Sequence, residues 1–315
     1  MFRRVSLPTP FQVGPVNSYL AGRTIVDPGP DSEEAWSELL TALEARSLAP
    51  DDIEQVLITH PHPDHFGLAH RFGERGARIV ASDAATPILE DFAGRLDHEQ
   101  SYFVDFFERC GMAAETAETV TQLPEAFLNY ASSVTVDRSV AAGDEITVDD
   151  SLVTVDDLVG HSVGEVLFAF EADGERRAIV GDNVLADITP NPFLQPPADD
   201  DEPRPRVLPR YNDSLDRLAT AGYDRFLPGH RTDIEEPSAR IEAIRAEHED
   251  RTDDVEALLD SPTTPVNVME ELFGDLPVTE QFSGMSEAVG HLDVLEERGR
   301  VERAESGGVL LYERA

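Results

Sequence analysis

Between Thr59 and Gly67 the chain reads His60-Pro61-His62-Pro63-Asp64-His65, four side chains able to ligate a metal within six residues, directly after the apolar run Val56-Leu57-Ile58. Two imidazoles spaced two residues apart project to the same side of an extended segment. Each precedes a proline, whose ring disfavours helical backbone at the residue before it, so the two prolines preset His60 and His62 as a fork. Asp64 and His65 fall where the chain should turn into a helix starting near Phe66, and from there they can reach a neighbouring position. The chemistry this spacing serves is metal ligation at a strand end, with room for two ions.

A site begun this way needs donors from other loops, and the chain offers three in suitable settings. His161 sits in Leu158-Val159-Gly160-His161-Ser162-Val163-Gly164, Asp182 follows Ala178-Ile179-Val180-Gly181, and His230 follows Phe226-Leu227-Pro228-Gly229. Each lies just after an expected strand or in a glycine turn. Five of the nine histidines therefore fall at strand ends. The others, His70, His98, His248 and His291, lie inside expected helices, where surface or packing roles suffice. A donor set of imidazoles and carboxylates without thiolate suits zinc, and iron or manganese also fit.

The elements that must position these side chains are legible from periodicity. Short strands are expected at Asn17–Leu20, Thr24–Val26 and Gln55–Thr59. A helix with Ala35, Leu39, Leu40 and Leu43 at helical spacing runs from Ser32 to Arg46 behind an N-cap-like Asp31-Ser32. Another strand ends at Ala77–Ala81. From Ala84 to about Ala131 the pattern is purely helical and carries Phe92, Tyr102, Phe103, Phe106, Phe107 and Phe127. Alternating strands follow at Val134–Val136, Glu145–Val148, Leu152–Val155, Glu165–Phe170 and Arg177–Val180. Gln195–Pro209, rich in proline and acid, reads as a long loop. Helix Asp213–Ala221 and strand Arg225–Leu227 lead to His230. A long polar helix at Glu235–Leu259 precedes helices at Val266–Phe273 and Ser286–Arg298 and a hairpin around Ser306-Gly307-Gly308.

Composition bounds the rest. A chain of 315 residues with 40% hydrophobic content can build one large domain plus a small one. There is no run of 18 apolar residues and no uninterrupted apolar segment near Met1, so a cytoplasmic location away from membranes is expected. The single cysteine, Cys110, excludes an intrachain disulfide and reads as a buried, inert thiol. Acids number 63 against 25 bases, every base is arginine, and the net charge is -38. Such self-repulsion is tolerable where concentrated salt screens it, the balance expected of a halophile's protein.

Taken in chain order, His-x-His-x-Asp-His, Gly-His, Gly-Asp and Pro-Gly-His resemble the metallo-β-lactamase superfamily of binuclear metal hydrolases over roughly residues 10–232. The pattern is similar to the glyoxalase II-like branch, and the tail resembles the winged-helix domain of the branch that includes the mammalian lactamase-like protein 2. The resemblance implies an α/β fold, a four-layer αββα sandwich with a small C-terminal winged-helix domain. Its catalytic domain would span 1–232 with a helical insertion at about 84–131, and a connecting helix and winged helix would fill 233–315. His60, His62 and His161 would hold one divalent ion, Asp64, His65 and His230 a second, with zinc expected at both. Asp182 would bridge them, Asp64 would also orient a hydroxide held between the ions, and Asp27 in Ile25-Val26-Asp27-Pro28-Gly29 would stand just behind the site. One departure matters. Family members often carry Thr-Pro-Gly-His-Thr-Pro-Gly-His around the third histidine, whereas here Leu158-Val159 precede Gly160 and Glu165 replaces the second histidine, which bears on local backbone shape and not on the ligand.

Three functions compete. Hydrolysis of a small-molecule thioester or ester comes first. The helical insertion and residues 183–211 are expected to line its mouth, although their aromatics serve equally as packing. Arg204, Arg206, Arg210 and Tyr211 could meet an anionic substrate or simply compensate the acids of their loop. An endoribonuclease or phosphodiesterase comes second, because from Ser238 onward 19 acids face 7 arginines and would repel a phosphate backbone. A non-enzymatic winged-helix protein on nucleic acid comes third and would need vestigial ligands. For the tail itself, packing or homodimerisation is the expected use.

Overall fold

The computed structural model describes residues 1–199 and 202–315. The chain divides into two compact units assembled from separated stretches: residues 1–94, 126–190 and 217–241 form the first, residues 95–125, 191–216 and 242–315 the second. The sequence reading cuts the chain at 232/233 and leaves the helical insertion with the catalytic part. Most of that insertion instead groups with the C-terminal segment, because its apolar side chains bury there.

The first unit holds two sheets. Strands β1 (Arg3–Leu7), β2 (Val16–Ala21), β3 (Thr24–Val26), β4 (Gln55–Leu57), β5 (Arg78–Ser82) and β6 (Arg138–Val140) form the first in that order. In the second the order is β11-β10-β9-β8-β7, from β7 (Glu145–Val148), β8 (Ser151–Asp157), β9 (Val166–Ala172), β10 (Glu175–Gly181) and β11 (Arg225–Pro228). From β3 to β6 the neighbours are parallel. Parallel neighbours need crossovers, and these are helix α1 (Glu33–Glu44), the pair α2 (Pro63–Phe66) and α3 (Ala69–Gly73), and a helical stretch that begins with α4 (Thr86–Glu90). Ser32 caps α1 by accepting from Ala35 N at 3.1 Å.

Tyr19, Val26, Leu57 and Val80 of the first sheet share one buried cluster with Val153, Val155, Phe168 and Ile179 of the second. The sheets therefore pack face to face, each large apolar side chain contributing roughly 1.5–3 kcal/mol. On α1, Ala35, Leu39 and Leu43 are buried. This is the α/β class expected, with strand ends delivering the motifs.

Some boundaries differ. The strand expected at Val134–Val136 forms at Arg138–Val140, because Val134 N donates to Leu89 O and Val136 N to Glu90 Oε1, which diverts that backbone from the sheet. The loop expected at Gln195–Pro209 ends at Arg206, and its positions 200 and 201 lie outside the described residues.

The second unit takes in α5 (Phe92–Arg109) from Arg95 onward, α6 (Ala114–Gln122), the first part of α7 (Val207–Thr220), most of α8 (Pro237–Ala257), α9 (Pro265–Phe273), α10 (Val278–Glu297) and the hairpin β12 (Val301–Ser306) and β13 (Val309–Arg314). Phe103, Phe106 and Phe107 are buried in its core with Met285, Val289 and Leu292, and Phe282 packs edge-on against Phe103. These insertion aromatics therefore serve packing and do not line a mouth. Arg204 grips Asp293 through two bonds of 2.7 and 2.8 Å, and Arg206 pairs with Glu296 at 2.7 Å, so neither is offered to an anion. Cys110 is fully buried, and burial pushes its thiol up to about 12. Among the described residues no helix is long and apolar enough to cross a membrane.

Candidate metal centre

Past β4 the chain bends at Thr59 and His60 and reaches His62 in extended backbone (φ -88°, ψ 142°), at the N-cap of α2 with Pro63 as its first helical residue. Proline suits that position, since its missing N–H would have no partner there. The helix begins three residues ahead of Phe66, so Asp64 and His65 occupy its first turn. His161 comes from the β8–β9 loop, Asp182 directly follows β10 and His230 comes two residues after β11.

The fold brings all seven together. His62 Nδ1 lies 3.1 Å from His60 Nε2 and 3.1 Å from His161 Nε2. Asp64 Oδ2 lies 3.1 Å from His230 Nε2 and 3.9 Å from His65 Nε2. Asp182 Oδ2 stands between the two sets, 3.3 Å from His230 Nε2, 3.5 Å from His65 Nε2 and 3.7 Å from His161 Nε2. His60, His62 and His161 form one group whose donor atoms lie within 4.8 Å of one another, Asp64, His65 and His230 a second, and His60, His65 and Asp182 a third. The packing admits no extra atoms: a Cβ on Gly229 would lie 2.3 Å from Asp182 Oδ1 and 2.5 Å from His65 Cε1.

Proton accounting decides which ring nitrogens face inward. Asp27, 1% exposed, accepts from Thr59 N through Oδ1 (2.8 Å) and from Thr59 Oγ1 through Oδ2 (2.7 Å). Thr59 has spent its hydroxyl proton on that carboxylate, so it accepts from His60 Nδ1 at 3.0 Å. Asp27 Oδ2 also accepts from His65 Nδ1 at 2.9 Å, and Pro15 O accepts from His230 Nδ1 at 2.9 Å. In neutral imidazole one nitrogen carries the proton. In their neutral form His60, His65 and His230 therefore each turn an Nε2 lone pair inward. For His65 and His230 that nitrogen is buried without a hydrogen-bond partner. Lone pairs aimed at carboxylates repel unless a cation lies between them, so the donor set fits divalent metal ions, held from behind by Asp27, Thr59 and Pro15 in the manner of carboxylate–histidine–metal relays.

Electrostatics agree with the geometry. Burial lowers the His65 and His230 imidazolium, but Asp182 and its companion carboxylates outweigh it, leaving His65 well above 6.5 and His230 at about 9. The pull that holds a proton there is the pull a cation would feel, and metal would compete with those protons. Burial would raise Asp64 and Asp182, yet the imidazoles around them hold both below the ordinary carboxylate range. Burial and neighbouring imidazoles keep His60 well below 6.5 and His62 at about 3, both neutral and ready to ligate. Glu165, raised by burial to about 8, stands beside the cluster.

The sequence pattern of the metallo-beta-lactamase superfamily matches residues 11–230. The chain belongs to the metallo-β-lactamase superfamily. As a hydrolase of this superfamily it has a relative in the probable metallo-hydrolase YqjP of Bacillus subtilis, 32% identical over 298 residues, which make up 93% of this chain and 91% of the relative. Among solved structures, the metallo-beta-lactamase family protein TTHA1429 of Thermus thermophilus superposes with a TM-score of 0.81 at 26% identity, covering 100% of this chain and 98% of the other. A beta-lactamase domain protein from Burkholderia ambifaria gives 0.84 at 26%, covering 100% and 92%. Both cover the whole chain, so the superfamily likeness extends past residue 230 to the terminal helices and hairpin.

Three supporting groups escape the sequence reading. Thr59 sits inside the motif, but its role needs the contact with Asp27. Pro15 acts through a carbonyl, which no side-chain pattern signals. Asn183, next to Asp182, donates to Glu165 at 2.8 Å, and only the fold joins the two.

Proposed function

We propose that the protein is a binuclear metal hydrolase acting on a small-molecule thioester or ester. The observation that carries this reading is the set of inward-facing Nε2 atoms on His60, His65 and His230 beside two buried carboxylates. His60, His62 and His161 would hold one ion, Asp64, His65 and His230 the other, and Asp182 Oδ2 would reach both; the N/O donor set favours zinc. When bound, two such cations acidify water and polarise the scissile carbonyl. The chain's own part is to orient. Asp27 and Pro15 fix the imidazole tautomers, and Asp64, more exposed than Asp182 at 11% against 7% of its side chain, would orient water as well as ligate.

An apolar acyl group suits the surroundings. Phe11 packs edge-on against Phe127 (5.1 Å between ring centroids) and Tyr130 (5.7 Å), and Phe127 is 37% exposed. Both segments adjoin the site through their backbone. Phe11 lies four residues before Pro15, which holds His230, while a Cβ on Gly67, two residues past His65, would meet Tyr130 O at 2.1 Å. The helix–helix–hairpin at 265–314 we read as a winged helix used for packing or homodimerisation.

The test is metal analysis of the purified protein followed by a panel of acyl thioesters, esters and single-stranded RNA in molar KCl. Two equivalents of divalent metal and chelator-sensitive thioester or ester hydrolysis are expected. A fully loaded protein that cleaves RNA and none of the acyl substrates would overturn the reading.

A further inference from the structure

Several loops carry the seven donors, and one buried carboxyl stands where three of them cross. Glu165 is 1% exposed and immediately precedes β9. Its own carbonyl accepts from Leu158 N at 2.9 Å, and the N–H of Val166 donates to Thr59 O at 2.8 Å, one residue before His60. Its Oε2 accepts from Asn183 Nδ2 at 2.8 Å, and the backbone N–H of His161 donates to the same carboxyl. Asn183 donates as well to Val159 O at 3.2 Å. Thr59 and Leu158 are thus tied to residues 165–166 through the backbone, and His161 and Asn183 through the Glu165 carboxyl.

We propose that Glu165 is a positioning residue: its carboxyl joins the His161 loop to the Asp182–Asn183 turn and so fixes Asp182 against His161. The physical case rests on burial and acceptor capacity. An apolar side chain of the same size would fill the space at lower desolvation cost, but it would leave two buried N–H donors, from two different loops, without an acceptor, at about 1–3 kcal/mol each. Oε2 accepts whether or not the carboxyl is ionised, so the device is the acceptor and not the charge. With His161 Nε2 and Asp182 Oδ2 only 3.7 Å apart, slack between their loops would spread the donors directly.

This inference rests on the metal reading above, and one titration separates the two. Wild type, Glu165→Met, Glu165→Gln and Asn183→Leu are titrated with Co2+ and Zn2+ against a competing chelator, and the visible spectrum of the Co2+ form and circular dichroism are recorded. Glu165→Met should stay folded, lose ~10–100-fold in metal affinity, the usual effect of removing a group that orients ligands, and shift the Co2+ spectrum. Glu165→Gln, which keeps an acceptor oxygen, should restore most of the affinity and the spectrum. In turnover, Glu165→Met should lower kcat with KM little changed. Asn183→Leu should reproduce the Met spectrum, and the double variant should be no worse than either single one; if Glu165→Met fails to fold, Asn183→Leu and Glu165→Gln decide. Wild-type affinity and spectrum in folded Glu165→Met or in Asn183→Leu would overturn the proposal, as would a Gln variant as impaired as Met. A wild type that binds neither ion would instead overturn the metal reading itself.

Discussion

Asp27→Asn offers a sharp test of how the imidazoles are aimed. The backbone there has φ 53°, in the left-handed region, which asparagine tolerates about as well as aspartate, so the substitution leaves the turn intact. What changes is acceptor capacity. The carboxylate faces three donors, Thr59 N, Thr59 Oγ1 and His65 Nδ1, all at 2.7–2.9 Å. An amide has one oxygen. If its NH2 faces His65, the imidazole must turn its proton to Nε2 and point an N–H into the site. If the NH2 faces Thr59 N, a buried backbone donor loses its acceptor. Hydrogen bonds to a charged group contribute about 1.5–3 kcal/mol each, so either orientation costs roughly 10–100-fold, the first in metal affinity at the position served by His65, the second in folding stability. Competitive Zn2+ titration, chemical denaturation and a turnover assay read both. An Asp27→Asn protein with wild-type affinity for two ions and wild-type stability would refute the proton accounting and, with it, the assignment of inward lone pairs.

Other outcomes follow from the same coordinates. Gly229→Ala should remove activity by ~100-fold or more with little loss of secondary structure, because its Cβ would lie 2.3 Å from Asp182 Oδ1 and displace a group that must be placed to within an ångström; normal kinetics would contradict the packing. His248 is buried, and burial and the neighbouring His291 hold its pKa at about 3. The unfolded chain therefore takes a proton below about 6.5 that the folded chain refuses, and stability complete above that pH falls by about 2 kcal/mol at pH 5. Denaturation at pH 7.5 and 5 should show a smaller pH-dependent loss for His248→Gln than for wild type; equal losses would sink the assignment. Finally, at a net charge of -38, the melting temperature should climb by several degrees between 0.1 and 2 M KCl as repulsion is screened; a flat or falling response would show that the acids do not oppose folding.

The donor residues were legible from sequence because their chemistry is local. Two prolines fix the fork at His60 and His62, and glycines mark the sharp turns beside His161, Asp182 and His230, so type and spacing alone single them out. Long-range partnership left no such mark. The pairing of Phe103, Phe106 and Phe107 with Met285 and Val289 joins residues nearly two hundred positions apart, and helical periodicity says only that one face is apolar, not what covers it. That is why the sequence left the insertion's aromatics open between a mouth and packing, and the fold places Phe103, Phe106 and Phe107 in a core. For Arg204 and Arg206 charge compensation was legible but the partners were not, since Asp293 and Glu296 arrive from α10 and not from their own loop.

Glu165 marks the boundary between the two kinds of information. In sequence it is only a residue where the family pattern has a histidine, and its alternatives are indistinguishable. In the fold it is the acceptor for a loop on each side, and what decides its meaning is the identity of its donors, His161 N and Asn183 Nδ2. A histidine at that place could accept through one nitrogen while donating through the other, whereas Glu165 receives both donors at its carboxyl. The departure from the family pattern thus falls on how two loops are held together, and leaves the seven candidate donors gathered at one place.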